Sequence, residues 1–244
     1  QSVLRDAETE AFFQEMAAPI VAAAGFNPRT IDVILLNDPS INAFVAGGQA
    51  VYFHSGLLSA ADNAQEVQGV FAHELGHITG GHVIRGDEGG KPATGITLLS
   101  LLLGAAAAAA GSGEAGIGIM MAGQQAAMGK YLAFSRAQES SADAASVDFL
   151  TKAGISGKGS IDFFKKLQNM EFRYGFKRDS DAEFYSTHPM TSDRLTTLQD
   201  SFSQDPAWTK PADAALQAHD LRHGLLLHAP RGVQHLPLLL VDQA

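Results

Sequence analysis

Nine histidines are spread over the 244 residues, and two of them stand in the run Val70-Phe71-Ala72-His73-Glu74-Leu75-Gly76-His77-Ile78. Residues four apart share one face of an α-helix, so His73 and His77 can direct two imidazoles at one metal ion. Glu74, one step round the helix, then reaches a water held in the open position of that metal. The chemistry that follows is metal-assisted hydrolysis, with Zn2+ as the cofactor and Glu74 as general base. A catalytic zinc site needs a third protein ligand. A histidine six residues after the second would fall on Val83, and His82 is one residue short, a large angular error on a helix or turn. The better candidate is Glu139, in Gln138-Glu139-Ser140-Ser141-Ala142-Asp143, as a carboxylate on a separate helix. Asp143, four residues on, shares its face and can take the free N–H of a ligand histidine, which fixes the tautomer. The small residues between the two carboxylates permit close approach of the metal helix.

The elements that must position these groups can be read in order. Residues 3–24 have an amphipathic helical pattern with Pro19 as a kink or stop, and Gly25-Phe26-Asn27-Pro28 is a turn. Residues 31–36, 43–46 and 50–54 read as short strands of a small sheet. A metal-motif helix over about 64–82 follows, with its N-cap near Ser59. Residues 96–110 are almost wholly apolar, a run of about 15 against the roughly 20 needed to cross a bilayer. After a break at Gly111–Glu114, residues 117–127 resume the pattern, giving a hydrophobic helical hairpin over 96–127. Its second arm continues into the helix that carries Glu139. The pattern favours a hairpin inside a soluble core over a patch that docks on a membrane or a protein. Helices over 131–152, 160–174 and 191–202 are expected, with a polar loop at 176–186 and a further helical stretch at 212–223. The fold class is α+β, mainly helical, with a small sheet packed on the metal helix. Residues 1–210 form one domain and 211–244 a tail.

Composition excludes several classes. Net charge is −9 with no basic run, which argues against nucleic acid as a partner. The absence of cysteine removes disulfide scaffolds, thiolate zinc sites and thiol nucleophiles. The first residues, Gln1-Ser2-Val3, carry no Met, so a processed or trimmed product is expected.

His73-Glu74-Leu75-Gly76-His77, Glu139 with Asp143, Thr187-His188-Pro189 with Arg194, and Asn42-Ala43-Phe44 occur in that combination over about residues 25–203. Together they resemble metallopeptidase family forty-eight, the gluzincin group of CAAX prenyl endopeptidases and HtpX-like and BepA-like proteases, and within it the soluble periplasmic type. The resemblance implies that His73, His77 and Glu139 bind zinc, that Glu74 is the base and that Asp143 supports a ligand. It also implies that Asn42 and His188 lie near the scissile group and steady the oxyanion, and that Arg194 orients the carboxylates. His188, on a loop flanked by Gly175, is alternatively a plug that swings onto the zinc. The implied activity is peptide-bond hydrolysis in protein quality control of the bacterial cell envelope or periplasm, with polypeptides as substrates. The competing class is a metal-loaded, chaperone-like adaptor that grips misfolded or membrane clients through residues 96–127.

Overall fold

The computed structural model describes residues 2–5, 7–174 and 188–217. Its sheet has four strands: β1 (Ser2–Leu4), β2 (Asp32–Asn37), β3 (Ala43–Ala46) and β4 (Ala50–His54), in the order β1-β2-β4-β3. β2 and β4 run parallel, pairing Asp32 with Ala50 through Leu36 with His54, while β1 and β3 close the two edges antiparallel. Gly47 and Gly48, at φ 65° and 90°, make the tight reversal between β3 and β4. The helices are α1 (Ala7–Ala23), α2 (Ser55–Ala60), α3 (Ala64–Thr79), α4 (Gly86–Ala109), α5 (Gly113–Ala153), α6 (Lys158–Tyr174) and α7 (Ser192–Ser203), with a short helical turn at Ala214–Gln217. The α+β, mainly helical class is as expected.

α3 is the centre of the molecule, with all residues from Val67 to Leu75 buried. Its apolar side chains, among them Val67, Val70, Phe71 and Leu75, meet phenylalanines of α1 and α6 and the sheet residues Val51 and Phe53 in one core. Fully burying each such side chain contributes about 1.5–3 kcal/mol. The helix starts at Asn63, whose side chain accepts from the Glu66 amide at 3.0 Å. That cap supersedes the expected one near Ser59, which lies inside α2. Glu66 is itself buried, and Lys166 of α6 bonds it at 2.8 Å while also binding Asp62 and the Ala60 carbonyl. This pins α6 to the start of α3.

Two local expectations are corrected. The N-terminal helical pattern starts at Ala7 and not at residue 3, because Val3 and Leu4 pair with Leu36 and Leu35 on the sheet edge. Pro19 does not end α1. Phe12, Met16 and Ile20 are each fully buried along that face, and their packing outweighs the lost backbone bond.

The apolar hairpin departs further. α4 and α5 form it as expected, but its leucines are not core residues: Leu102 is 70% exposed and Met121 63%. Gly90–Ala109, moreover, is a 20-residue stretch of α4 long and apolar enough to cross a membrane, with only 11% of it buried. The count of about 15 fell short because Gly90 to Gly95, weakly apolar but with Lys91 as the sole charge, belong to the same helix. The expected loop at 176–186, half of the stretch at 212–223 and most of the tail lie outside the described residues.

Candidate metal centre

Four side chains from three parts of the chain converge at the middle of α3. His73 and His77, one turn apart, bring their Nε2 atoms to 3.1 Å of each other. The Glu139 carboxylate, from α5, lies 3.3 Å from His73 Nε2 through Oε2 and 3.4 Å from His77 Nε2 through Oε1. His188, just before α7, brings Nδ1 to 3.1 Å from Glu139 Oε1 and 3.4 Å from His73 Nε2. The potential ligand atoms of these four residues all lie within 4.8 Å of one another, and all four residues are buried. A tetrahedral cation bound at 2.0–2.2 Å holds its donors roughly 3.3–3.6 Å apart. The separations of 3.1–3.4 Å between neighbouring donors are close to those edges, so the donor set suits a tetrahedral divalent cation.

The approach of α3 and α5 depends on Gly76. A Cβ there would stand 2.6 Å from the Ala142 carbonyl oxygen and 2.9 Å from its Cα. The Gly76→Ala protein is therefore expected to be destabilised by about 1–3 kcal/mol through overpacking. Because the collision wedges Glu139 away from the histidines, zinc uptake should weaken alongside the thermal midpoint. Unchanged metal content with a lowered midpoint would show that the ligand set tolerates the displacement.

Around the donors is a second layer that orients them. Asp143 Oδ1 lies 3.0 Å from His73 Nδ1, which makes that nitrogen the donor and turns the Nε2 lone pair inward. Arg194 grips Asp143 with Nε at 2.7 Å and Nη2 at 2.8 Å, and its Nη1 reaches Glu139 Oε2 at 3.0 Å and the Pro189 carbonyl at 2.7 Å. One guanidinium thus fixes a ligand, a ligand's support and the backbone beside His188. Thr191, which caps α7 by accepting from the Arg194 amide at 3.2 Å, sets the start of the helix that presents this arginine.

The electrostatics follow from this layout. Burial of His73 opposes charge there, yet hydrogen bonds to Asp143 and Glu139 outweigh it and push the ring up to about 10. Burial, with the neighbouring His73 and His188 charges, pulls His77 down to about 2. Burial would raise Glu139, but its bonds to His188 and His73 hold it well below the usual carboxylate range. Asp143 is lowered in the same way against its burial, by Arg194 and His73. Glu74, with no exposed surface, is raised chiefly by burial. The carboxylates of Glu139 and Asp143 meet the single guanidinium of Arg194, and a divalent cation among the donors would offset the negative charge left over.

Glu74 stands apart from the donors. Neither of its oxygens has a hydrogen-bond partner among the described residues, and His188 Nε2 is 3.5 Å from Oε1. Asn42 is buried and its carbonyl accepts from the His54 amide at 2.9 Å. Its side-chain oxygen has no hydrogen-bond partner among the described residues, so no hydrogen bond ties it to the cluster. The residue that motif spacing missed is His82. Rejected as a ligand, it lies with Nδ1 2.9 Å from His77 Nδ1 and supports that ring from behind. The chain folds back through Gly81 at φ 64° to bring it there, a turn that helical spacing does not convey.

Residues 4–201 match the family model described as Peptidase family M48. The chain is 31% identical over 209 residues to a Vibrio cholerae protein provisionally named a beta-barrel assembly-enhancing protease, covering 84% of this chain and 42% of that protein. It is 32% identical over 189 residues to the beta-barrel assembly-enhancing protease of Yersinia pestis, covering 76% of this chain and 37% of the relative. To the metalloprotease LoiP of Escherichia coli it is 30% identical over 171 residues, 68% of this chain and 60% of that protein. The chain thus spans about two-fifths of the length of the first two relatives.

Proposed function

The chain belongs to peptidase family M48, and from that premise we propose that it is a zinc-dependent metalloendopeptidase acting on polypeptides in protein quality control at the bacterial cell envelope. The observation that carries this reading is the convergence of His73, His77 and Glu139 beside a buried Glu74 whose oxygens have no hydrogen-bond partner among the described residues. The envelope assignment rests on the names of the beta-barrel assembly-enhancing relatives. The catalytic unit would comprise residues 1–210, with 211–244 as a tail.

His73, His77 and Glu139 would hold the zinc, which supplies Lewis acidity and makes a water acidic enough to ionise near pH 7. Glu74 takes the proton of the attacking water and delivers it to the leaving amine; its burial raises its basicity for that task. Asp143 keeps His73 in the right tautomer, and Arg194 holds Asp143 and Glu139 in register. β3 is an edge of the sheet, so a substrate can add to it as an extended strand, running beside Phe44–Ala46. Asn42, at the entry to β3, would then lie alongside the substrate backbone.

The test is digestion of an unfolded protein such as casein. Cleavage should stop on chelation and return with zinc, in step with metal content. A protein that takes up zinc yet never cleaves would overturn the reading and favour the adaptor.

His188 supports a second layer of the proposal. A catalytic zinc keeps one position open, whereas a fourth protein donor closes it. With His188 Nδ1 close to the other three donors, the arrangement favours a latent state in which it occupies that position. His188→Ala is expected to raise basal casein cleavage about tenfold by freeing the competent state. A loss of cleavage instead would make His188 an oxyanion aid and remove the plug.

A further inference from the structure

The α4–α5 hairpin is built inside-out. At 100° per residue, Leu98, Leu99, Leu101, Leu102 and Leu103 sweep about 200° of the helix surface, and all five are exposed. Ser100 and Gly104 occupy the remaining arc and are buried against α5. There small residues let the helices close up: a Cβ on Gly104 would meet the Met120 side chain at 2.5 Å and the Gly116 carbonyl oxygen at 2.7 Å, and one on Gly123 would meet the Ser100 side chain. A soluble helix pair buries its large apolar groups and exposes its small or polar ones. Small residues in the seam with leucine outside is the arrangement of helices surrounded by lipid.

Length and charge agree. Gly90–Ala109 has 20 residues, about 30 Å of helix, which equals the hydrocarbon thickness of a bilayer. Between Pro92 and Gly129 the sole charged residue is Glu114, at the turn between the arms. Lys91, Lys130 and Tyr131 are exposed at the other end. The register set by Ser100 against Gly123 brings Lys91 level with Leu132, next to Tyr131. Basic and aromatic residues at one level are what headgroups retain. A protein partner would cover one stripe of a helix, about 100° wide; the leucine arc is twice that, and α5 adds exposed Ile117, Met121 and Met128.

We propose that the α4–α5 hairpin inserts across a lipid bilayer, with Lys91, Lys130 and Tyr131 at the near headgroups and the Gly111–Glu114 turn at the far ones. Glu139 follows Lys130 by nine residues of the same helix, so the metal centre stands about 14 Å along that axis from the headgroups. The proposal is independent of the catalytic reading.

The test is flotation of the purified chain with vesicles of phosphatidylethanolamine and phosphatidylglycerol. The wild type should float with the vesicles. The double variant Leu99→Asp/Leu102→Asp should lose partitioning by about a hundredfold or more, with unchanged helicity and zinc uptake, since both leucines lie away from the core. A wild type that stays with the soluble fraction, or a double variant that floats equally, would overturn insertion, as would pairing of the leucine faces in a lipid-independent dimer. The chain has no cysteine, so the Ser112→Cys variant carries a single thiol at the turn. With protein added outside sealed vesicles, that thiol should react with an impermeant maleimide only after detergent. Labelling without detergent would show a hairpin lying on the near leaflet and overturn the spanning arrangement.

Discussion

The Glu74→Gln protein is expected to bind zinc as the wild type does and to lose peptide hydrolysis by at least about a thousandfold. Glutamine has nearly the same shape and would fill the same buried position, so the packing around α3 should survive. It has no basic carboxylate to accept a proton. Neither Glu74 oxygen holds a hydrogen bond that the fold depends on among the described residues, and the side chain is not among the converging donors. The loss should therefore fall on turnover, with zinc content and thermal midpoint unchanged. Loss of metal together with activity would mean that Glu74 is a ligand. Intact cleavage would remove it as the base.

Glu139→Ala should have its largest effect one step earlier, on metal uptake. The carboxylate lies within 3.4 Å of the Nε2 atoms of both His73 and His77, and it meets Arg194 at 3.0 Å. Its removal deletes one of the proposed donors and leaves a guanidinium facing the histidines. If zinc binding totals about 10–16 kcal/mol, the loss of one donor costs about 4 kcal/mol, or roughly a thousandfold in affinity. Metal content after dialysis against a zinc buffer reads this directly. Wild-type zinc content in this variant would show that the carboxylate is not a ligand, and the two-helix clasp would then have to be abandoned.

The clasp itself was legible because its logic is local: four-residue steps put His73 with His77 and Glu139 with Asp143, whatever the rest of the chain does. The strands β2, β3 and β4 were equally plain, since β-branched and aromatic runs stood between turn residues. Gly76 was visible as a letter but not as a contact, because its role depends on the Ala142 carbonyl more than sixty positions away. His82 escaped for the related reason that a left-handed glycine redirects the chain just before it. The strand at Ser2–Leu4 exists only because β2 offers an edge to pair with. The apolar hairpin misled because composition gives the amount of greasy surface and not the side it faces. Only the seam of Ser100, Gly104, Gly116 and Gly123 fixes that orientation, and a seam is a property of two helices.

α5 runs without a break for 41 residues, from Gly113 to Ala153, about 60 Å. Its first half is a greasy arm, and its second half carries Glu139 and Asp143. A continuous rod bends little, so a tilt imposed at one end becomes a sideways displacement at the other. An anchor that leans further in a thin membrane than in a thick one would thereby shift a carboxylate against two imidazoles held on a different helix. Acyl-chain length would then act as a rheostat on the hydrolytic centre, with no messenger other than stiffness.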